Sequence, residues 1–225
     1  MKIKRVFDIV LSIMAFLIFS PLFIIISIIL KCTGEGEVFY KQTRVGRYRV
    51  NFEVFKFATM LKNSPNLPGG TLTLENDPRV LPLGKFLRKT KINELPQLLN
   101  IINGDMSIVG PRPLVPEGEE HYSREASMLI RSVRPGLTGI GSLMLRDEEG
   151  YYAHRSDAIE FYKMVISPFK ENLELWYVEN RSFYLDLKIL LFTAIAVVKP
   201  DFQVDRHFRL LPEIPSSMVA SKNRE

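Results

Sequence analysis

The sequence predicts a mostly α-helical chain of the α/β class, with a small β-hairpin and an N-terminal helix-break-helix that enters a membrane and returns. An almost unbroken apolar run, residues 9–30, carries Ser20-Pro21 at its middle. Two β-rich runs follow it, and the remainder is helix-compatible sequence interrupted by prolines and glycines. With 225 residues and 46% hydrophobic content, the chain can form one domain with a sizeable core.

Charge and cysteine content narrow the function only a little. The formal charge of +5 favours anionic partners, but it does not distinguish nucleic acid, anionic lipid and nucleotide-linked substrates. The single cysteine, Cys32, excludes an internal disulfide framework and a multi-cysteine zinc site. A reducing compartment is therefore expected for most of the chain.

The N-terminal apolar run predicts a membrane segment. It follows three basic residues, Lys2, Lys4 and Arg5, and about 20 such residues are enough to span a bilayer as a helix. A signal peptide is the alternative, but the run is long for one and no small-residue cleavage site follows it. Residues 1–31 are therefore predicted to be a membrane anchor.

The middle and the flanks of this run bear on its topology. Pro21 has no backbone donor for the carbonyl of Leu17, so a helix through it must kink. Basic residues lie on both sides of the run, with Lys31, Lys41, Arg44, Arg47 and Arg49 after it. Both flanks are thus cytoplasmic by the positive-inside rule, which favours a re-entrant hairpin over a straight span.

Alternating and turn-forming residues predict the elements that follow the anchor. Residues 38–42 and 51–57 are β-rich and surround a turn that contains Gly46, which is typical of a hairpin. Residues 83–90 and 94–103 are predicted helices, the second with Pro96 in its first turn and Gly104 as its C-cap.

The second half of the chain predicts further helices between rigid loops. Residues 106–113 are a buried strand or loop, 117–133 are helical, 134–139 form a turn-rich loop and 151–180 are helix-compatible. Residues 182–198 have helical apolar spacing but contain Asp186 and Lys188, so they suit a membrane surface or a core better than a span. The tail after Pro200 is predicted to be frayed.

The chemistry-bearing region is predicted between residues 88 and 112. Nucleotide-binding glycine motifs, a nucleophile elbow and a Cys/His metal cluster are absent from the sequence. Basic residues from Arg88 onward precede the polar pair Asn93-Glu94 at a predicted helix start, where backbone amides and the helix dipole favour a phosphate. A simple helix cap with Asn93 as the N-cap explains the same pattern, and the two interpretations are compatible.

Many short motifs occur in one order along nearly the whole chain. They are Lys4-Arg5-Val6-Phe7-Asp8, Ser20-Pro21, Gln42-Thr43-Arg44-Val45-Gly46, Lys56-Phe57-Ala58-Thr59-Met60, Asp77-Pro78-Arg79, Gly84-Lys85-Phe86-Leu87-Arg88, Glu94-Leu95-Pro96-Gln97, Gly104-Asp105-Met106-Ser107, Val109-Gly110-Pro111-Arg112-Pro113 and Arg134-Pro135-Gly136-Leu137-Thr138-Gly139. In this the chain resembles the monotopic phosphoglycosyl transferases, bacterial sugar transferases that load a sugar-1-phosphate onto a polyprenyl phosphate.

The resemblance implies an organisation and a set of partners. It implies a re-entrant anchor over residues 1–31, a catalytic domain over 32–205 with amphipathic helices on the inner leaflet, and a tail over 206–225. The site would face the cytoplasm at the bacterial inner membrane. The implied donor is a UDP-sugar, the acceptor is polyprenyl phosphate and the cofactor is Mg²⁺, without nucleic acid. The oligomeric state is left open, a homodimer included.

The resemblance also implies roles for single residues. Asn93 and Glu94 occupy the catalytic pair, Glu94 is the metal ligand, and Ser20 and Pro21 form the membrane helix break. The phosphate- and nucleotide-binding set is Arg88, Pro111, Arg112, Arg134 and Thr138. A guanidinium binds phosphate in a bidentate manner, although without the resemblance each arginine is an ordinary surface residue.

Three departures from the family pattern bear on substrate and mechanism. Ala58 stands where the family carries Arg or Lys, residues 140–143 lack an Ala-Gln pair, and Asn93 replaces the Asp that attacks the donor phosphorus. A carboxamide has no full charge with which to make that attack. An active transferase would then use Glu94 or direct attack by the acceptor phosphate.

Two alternatives stand beside an active transferase. One is a catalytically impaired or engineered substrate-trapping binder of the same ligands, in which Asn93 preserves the shape of the site. The other is a membrane-anchored nucleic-acid module, which is disfavoured because the basic residues are dispersed and lack a recognition-helix pattern.

Overall fold

The computed structural model describes residues 2–67, 77–146, 148–152, 155–199 and 202–222. Contacts between Cα atoms divide the chain into two compact units, Met1–Thr43 with Glu53–Met106 and Arg44–Phe52 with Ser107–Glu225. The architecture is mostly helical with two small two-stranded sheets, which confirms the predicted class at that level. The predicted boundaries at residues 31 and 205 stay predictions.

The first unit is built on the N-terminal helix and the first hairpin. Its elements are α1 (Lys2–Cys32), β1 (Phe39–Val45), β2 (Asn51–Phe57), α2 (Pro82–Lys89) and α3 (Gln97–Asn103), with 3₁₀ turns at Ser64–Asn66 and Ile92–Glu94. β1 pairs with β2, so the predicted hairpin is confirmed. Its tip carries a 3₁₀ turn at Arg47–Arg49 and belongs to the second unit. The core joins Phe23, Ile26, Leu30, Phe57 and Leu87.

α1 continues through Pro21 as one helical element of 31 residues. The Ser20 hydroxyl donates a hydrogen bond of 2.8 Å to the carbonyl of Leu17, the group that Pro21 leaves without its usual N–H donor. Among the described residues α1 is the one helix long and apolar enough to cross a membrane, judged by length and composition. The apolar N-terminal helix is thus confirmed, and its re-entry stays a prediction.

Arg5 ties the start of α1 to the end of α3. Its guanidinium donates to the carbonyls of Ile101 at 2.7 Å and Ile102 at 3.1 Å. These carbonyls lie in the last turn of α3, where helical donors run out and a cation also favours the helix dipole. Gly104, in a left-handed conformation, forms the C-cap that the sequence predicts.

Asn100 joins α3 to the hairpin. Its side-chain oxygen accepts from the backbone N–H of Phe55 at 3.0 Å, and its side-chain nitrogen donates to the carbonyl of Glu53 at 2.7 Å. The amide therefore takes the place of a neighbouring strand at the edge of β2, which explains why Asn100 is fully buried.

The predicted helix over residues 94–103 begins later than expected. α3 starts at Gln97 with Pro96 as its N-cap residue, after the 3₁₀ turn Ile92–Glu94. Pro96 has no N–H for the carbonyl of Ile92, which accepts instead from Leu95 at 3.1 Å. A tight turn therefore precedes the α-helix.

The second unit surrounds a short parallel sheet. Its elements are β3 (Ser107–Val109), α4 (Pro116–Glu119), α5 (Arg124–Ile130), β4 (Gly136–Thr138), α6 (Ile140–Met144), α7 (Ala158–Phe161), α8 (Ser167–Asn180), α9 (Phe183–Val198) and α10 (Ser216–Lys222). β3 and β4 run parallel, with Ser107 opposite Gly136 and Val109 opposite Thr138. The sequence predicts a strand or loop at the first segment and only a loop at the second.

Two predictions in this unit are wrong in detail. The single helix over 117–133 is divided into α4 and α5, because Ser123 caps α5 by accepting from the N–H of Ala126 at 3.2 Å. The tail is not frayed over its described part, since α10 is helical and buries Met218 completely. Residues 200–201 and 223–225 lie outside the described part.

Candidate active site

The Asn93 turn carries a buried polar group that the described residues leave unsatisfied. Asn93 is 7% exposed, and its side-chain oxygen has no hydrogen-bond partner among the described residues. Leaving a buried polar atom unpaired costs about 1–3 kcal/mol, so such an atom is expected to meet a ligand or an ion. The helix-cap interpretation is wrong, because Lys91 and Pro96 occupy the cap positions of the turn and of α3.

Glu94 and Arg88 flank this turn within the same unit. Glu94 is the last residue of the turn and is half-buried, and Arg88 is half-buried in the last turn of α2. α2 packs against the turn, so the structure assembles Arg88, Asn93 and Glu94 from consecutive elements. One cation and one carboxylate thus lie on the elements next to the unsatisfied amide oxygen, and the guanidinium of Arg88 lies 3.7 Å from the sulfur of Met60.

Gly84 allows α2 to approach the chain near Thr59. A Cβ at residue 84 would lie 2.1 Å from the carbonyl oxygen of Thr59, which also accepts from the N–H of Leu81 at 3.0 Å. The first turn of α2 therefore packs directly on the backbone of Thr59. This contact determines where the helix that carries Arg88 begins. The glycine weakens α2 in isolation but is required by this contact.

The other predicted site residues lie in the second unit, at the β3–β4 sheet. The backbone N–H of Gly136 donates to the carbonyl of Pro111 at 2.8 Å, and that of Gly110 donates to Thr138 at 3.0 Å. These bonds set Pro111 beside Gly136 and Thr138 beside Gly110, with Arg112 following β3 and Arg134 preceding β4.

The hydroxyl of Thr138 has a structural contact. Thr138 is buried, and its hydroxyl lies 2.9 Å from that of Thr193 on α9. Thr193 also donates to the carbonyl of Ile189 at 2.8 Å. A phosphate-binding role for Thr138 stays a prediction.

Comparison with known proteins decides the family. The sequence model of the bacterial sugar transferases matches residues 1–200. The chain is a bacterial sugar transferase. The exopolysaccharide production protein ExoY of Rhizobium meliloti is 38% identical over 208 residues, which are 86% of this chain and 84% of that protein.

Two further relatives of this sugar transferase carry activities in their names. The undecaprenyl-phosphate galactose phosphotransferase of Salmonella typhimurium is 35% identical over 214 residues, 88% of this chain and 41% of that protein. The UDP-glucose:undecaprenyl-phosphate glucose-1-phosphate transferase of Escherichia coli is 36% identical over 195 residues, 85% of this chain and 39% of that protein. The chain thus spans less than half the length of these two relatives.

The sequence interpretation missed two polar residues of this sugar transferase. Arg146 has a buried side-chain nitrogen without a partner among the described residues. Glu174, on α8, is 3% exposed and accepts from the backbone N–H of Arg112 at 3.1 Å through one oxygen. Its other oxygen is unpaired within the described part of the chain. The sequence does contain a signal for the burial of Glu174. Helical spacing places two charged residues on an otherwise apolar helix face, which consists of Ile166, Lys170, Leu173, Glu174 and Tyr177.

Burial dominates the protonation of Glu174. Loss of hydration raises the pKa of this carboxyl to about 7, against the opposing effects of the Arg112 N–H and of the cations Arg131 and Lys170. The pKa of Lys170 is nevertheless raised. Its own burial, the largest single effect, lowers it, but attraction to Glu148 and Tyr162 and the 2.8 Å hydrogen bond to Glu148 together outweigh burial. Glu174 therefore titrates in the neutral range, whereas Lys170 keeps its proton.

The raised pKa of Glu174 predicts a pH-dependent stability. From about pH 4.5 to about pH 7 the unfolded chain ionises this carboxyl while the folded chain retains the proton, so the free energy of unfolding falls as the pH rises. The fall is about 3 kcal/mol, since each tenfold change in proton affinity is about 1.4 kcal/mol. Denaturation across this pH range should show a flatter profile for Glu174→Gln. Glu179→Gln, at an exposed position of the same helix, should keep the wild-type slope; equal slopes in all three proteins would contradict the prediction.

Proposed function

We propose that this sugar transferase moves a sugar-1-phosphate from a UDP-sugar to a polyprenyl phosphate, the first membrane step in assembling a polysaccharide. The match to the family over residues 1–200, with relatives named for this transfer, carries the proposal. In the reaction an oxygen nucleophile attacks the phosphorus that bears the sugar, and the bond to the UMP oxygen breaks. A panel of UDP-sugars, incubated with undecaprenyl phosphate and the protein in detergent, should release UMP with one donor or a few. No release with any donor, at any enzyme concentration, would argue against the proposal.

The proposed donor site uses fixed positive charge. Arg88 and Arg112 would neutralise the diphosphate, and Arg134 would assist from the start of β4. Pro111 and Thr138 would shape the backbone beside it. The position of all five residues in family motifs supports this assignment, and the β3–β4 register supports it for Pro111, Arg112, Arg134 and Thr138.

A magnesium ion fits the Asn93 turn by its donor chemistry. Mg²⁺ takes hard oxygen ligands, commonly one or two carboxylates with substrate phosphates and water completing the shell. Glu94 would supply the carboxylate, and the unpaired oxygen of Asn93 is a second hard donor. When bound, the ion would neutralise charge on the donor phosphates.

Asn93 bears on which group attacks the phosphorus of the donor. Residue 93 stands at the motif position where the family carries a nucleophilic Asp, but a carboxamide makes a poor covalent nucleophile. We propose that the native chain binds donor and metal and turns over without an adduct on residue 93. Either Glu94 attacks the phosphorus or the acceptor phosphate attacks it directly.

The two arginines predict a loss of donor affinity. Arg88→Ala and Arg112→Ala should each weaken UDP-sugar binding by about 1.5–3 kcal/mol, the scale of one hydrogen bond to a charged group. Titration calorimetry with UDP-sugar measures the loss. Arg124→Ala, at an exposed arginine of α5, is the matched control and should bind as the wild type does. Unchanged affinity in both site variants would remove these arginines from the site.

We further propose that α1 is re-entrant at the cytoplasmic face of the bacterial inner membrane. A helix of 31 residues is about 45 Å long, well over the roughly 30 Å of the hydrocarbon core. The bond from Ser20 to the Leu17 carbonyl satisfies the group that Pro21 orphans, which makes a bend at this position tolerable in lipid. Basic residues on both sides support a return to the same face.

Cysteine labelling tests the topology. In a Cys32→Ser background, cysteines at Lys2 and Glu37 should react from the same side of sealed inverted vesicles, together with a reference cysteine at exposed Ser216. Reaction of the Lys2 and Glu37 positions from opposite sides would show a straight span. Pro21→Leu, which restores the backbone donor, should move the population toward that straight span.

A further inference from the structure

We propose that Glu174 and Gly141 form a matched pair that positions the backbone of Arg112 for phosphate binding. The inference deepens the proposed donor site and rests on it. Glu174 is a positioning residue in this account: its carboxylate holds the main chain of Arg112, and Gly141 leaves the space that this carboxylate occupies.

The segment Pro111-Arg112-Pro113 has one backbone N–H, because proline has none. Its carbonyls already have donors. Gly136 donates to Pro111 at 2.8 Å, Arg131 to Arg112 at 3.4 Å and Arg44 to Pro113 at 3.0 Å. The remaining N–H, that of Arg112, donates to Glu174 at 3.1 Å. With Glu174 as the acceptor, every backbone N–H and carbonyl of this segment has a hydrogen-bond partner.

Burial of the Glu174 carboxyl is unfavourable because the group loses its hydration, which argues that the residue has a functional role. The residue lies on the buried stripe of α8, and its second oxygen is unpaired among the described residues. An apolar side chain of similar volume would pack there without loss of hydration. The cations near it, Arg131 and Lys170, each have a carboxylate of their own, Glu119 and Glu148 respectively, at 2.7 and 2.8 Å. Glu174 is thus not needed to neutralise either of them.

Gly141 fits the length of the Glu174 side chain. A Cβ at residue 141 would lie 2.5 Å from the carboxylate oxygen that accepts from Arg112, and 3.1 Å from the carboxyl carbon. Alanine at this position would therefore push the carboxylate away from the Arg112 N–H. Aspartate at residue 174 would withdraw the carboxylate by one methylene and vacate the same space. Either change therefore removes the same hydrogen bond, the one from the Arg112 N–H to Glu174.

A double-mutant cycle tests the pair. The variants are Gly141→Ala, Glu174→Asp and the two combined. Gly118→Ala is a matched control in α4, where the added Cβ would lie 3.3 Å from Cγ2 of Val115 and 3.8 Å from Cβ of Leu114 and would meet no carboxylate. We expect each single variant to lower kcat/KM for the UDP-sugar by about tenfold or more, through KM in particular, as expected for one charged hydrogen bond. The combined variant should lose little more than the worse single variant, because both changes remove the same hydrogen bond and their effects are then not additive. A combined loss equal to or above the product of the single losses, or a Gly141→Ala variant with wild-type kinetics, would overturn the proposal.

Hydrogen exchange at the Arg112 amide gives a readout that does not depend on turnover. It is the one exchangeable backbone amide between the two prolines, so a peptide that covers this segment reports it. Exchange should accelerate to a similar extent in both single variants and in the combined variant, and stay at the wild-type rate in Gly118→Ala. If wild type releases no UMP but the exchange pattern holds, the pair survives and the proposed function fails. If UMP is released and exchange is the same in all variants, the pair fails and the function stands.

Discussion

Asn93→Asp is expected to raise UMP release by about 10²-fold or more, since loss of a positioned catalytic group costs roughly 10²–10⁴-fold. The substitution supplies an anionic oxygen with almost no change in volume, at a site where the existing side-chain oxygen is buried and unpaired within the described chain. A phosphosugar adduct should then form on residue 93 with donor alone.

Intact-mass measurement and peptide mapping check this prediction. The native chain should show little adduct after incubation with donor. Asn103→Asp, at the exposed end of α3, is the control and should behave as the native chain does. An adduct on Glu94 in the native chain would instead assign the attack to Glu94, and an unchanged rate in Asn93→Asp would contradict the placement of residue 93.

Glu94→Gln is expected to reverse most of that gain when it is added to Asn93→Asp. It removes the proposed carboxylate ligand while keeping shape, so UMP release should fall by about 10²-fold and the Mg²⁺ concentration for half-maximal activity should rise. Titration of activity with Mg²⁺ measures both effects. Glu120→Gln, an exposed substitution, should leave the titration unchanged. An unaltered Mg²⁺ dependence in the Glu94 variant would assign the metal to other residues.

Much of the fold was predictable because it depends on local pattern. The apolar run gave α1, alternating residues gave the first hairpin, and Gly104 was identified as a C-cap. The pairing of β3 with β4 was not predictable in this way, because each strand has three residues and its partner lies nearly 30 positions away in the sequence. The division of the helix at Ser123 depended on a cap that a broad helical pattern conceals.

The residues of the candidate site also differ in whether the sequence alone predicts them. Motif residues such as Arg88, Asn93 and Arg112 could be named in advance because they are contiguous in sequence with glycines and prolines of recognisable spacing. Glu174 could not, because its partner is a backbone amide 62 positions away and its role depends on burial. The missing side chain at Gly141 is equally invisible without the packing around it.

The fate of the donor's β-phosphate tests the central claim most directly. Donor labelled with ³²P in that phosphate, the one attached to the sugar, is incubated with undecaprenyl phosphate and the protein in detergent. Transfer of a sugar-1-phosphate predicts that the label enters the lipid fraction in equal amount to the UMP released. Label that stays in UDP while sugar alone reaches the lipid would contradict the account.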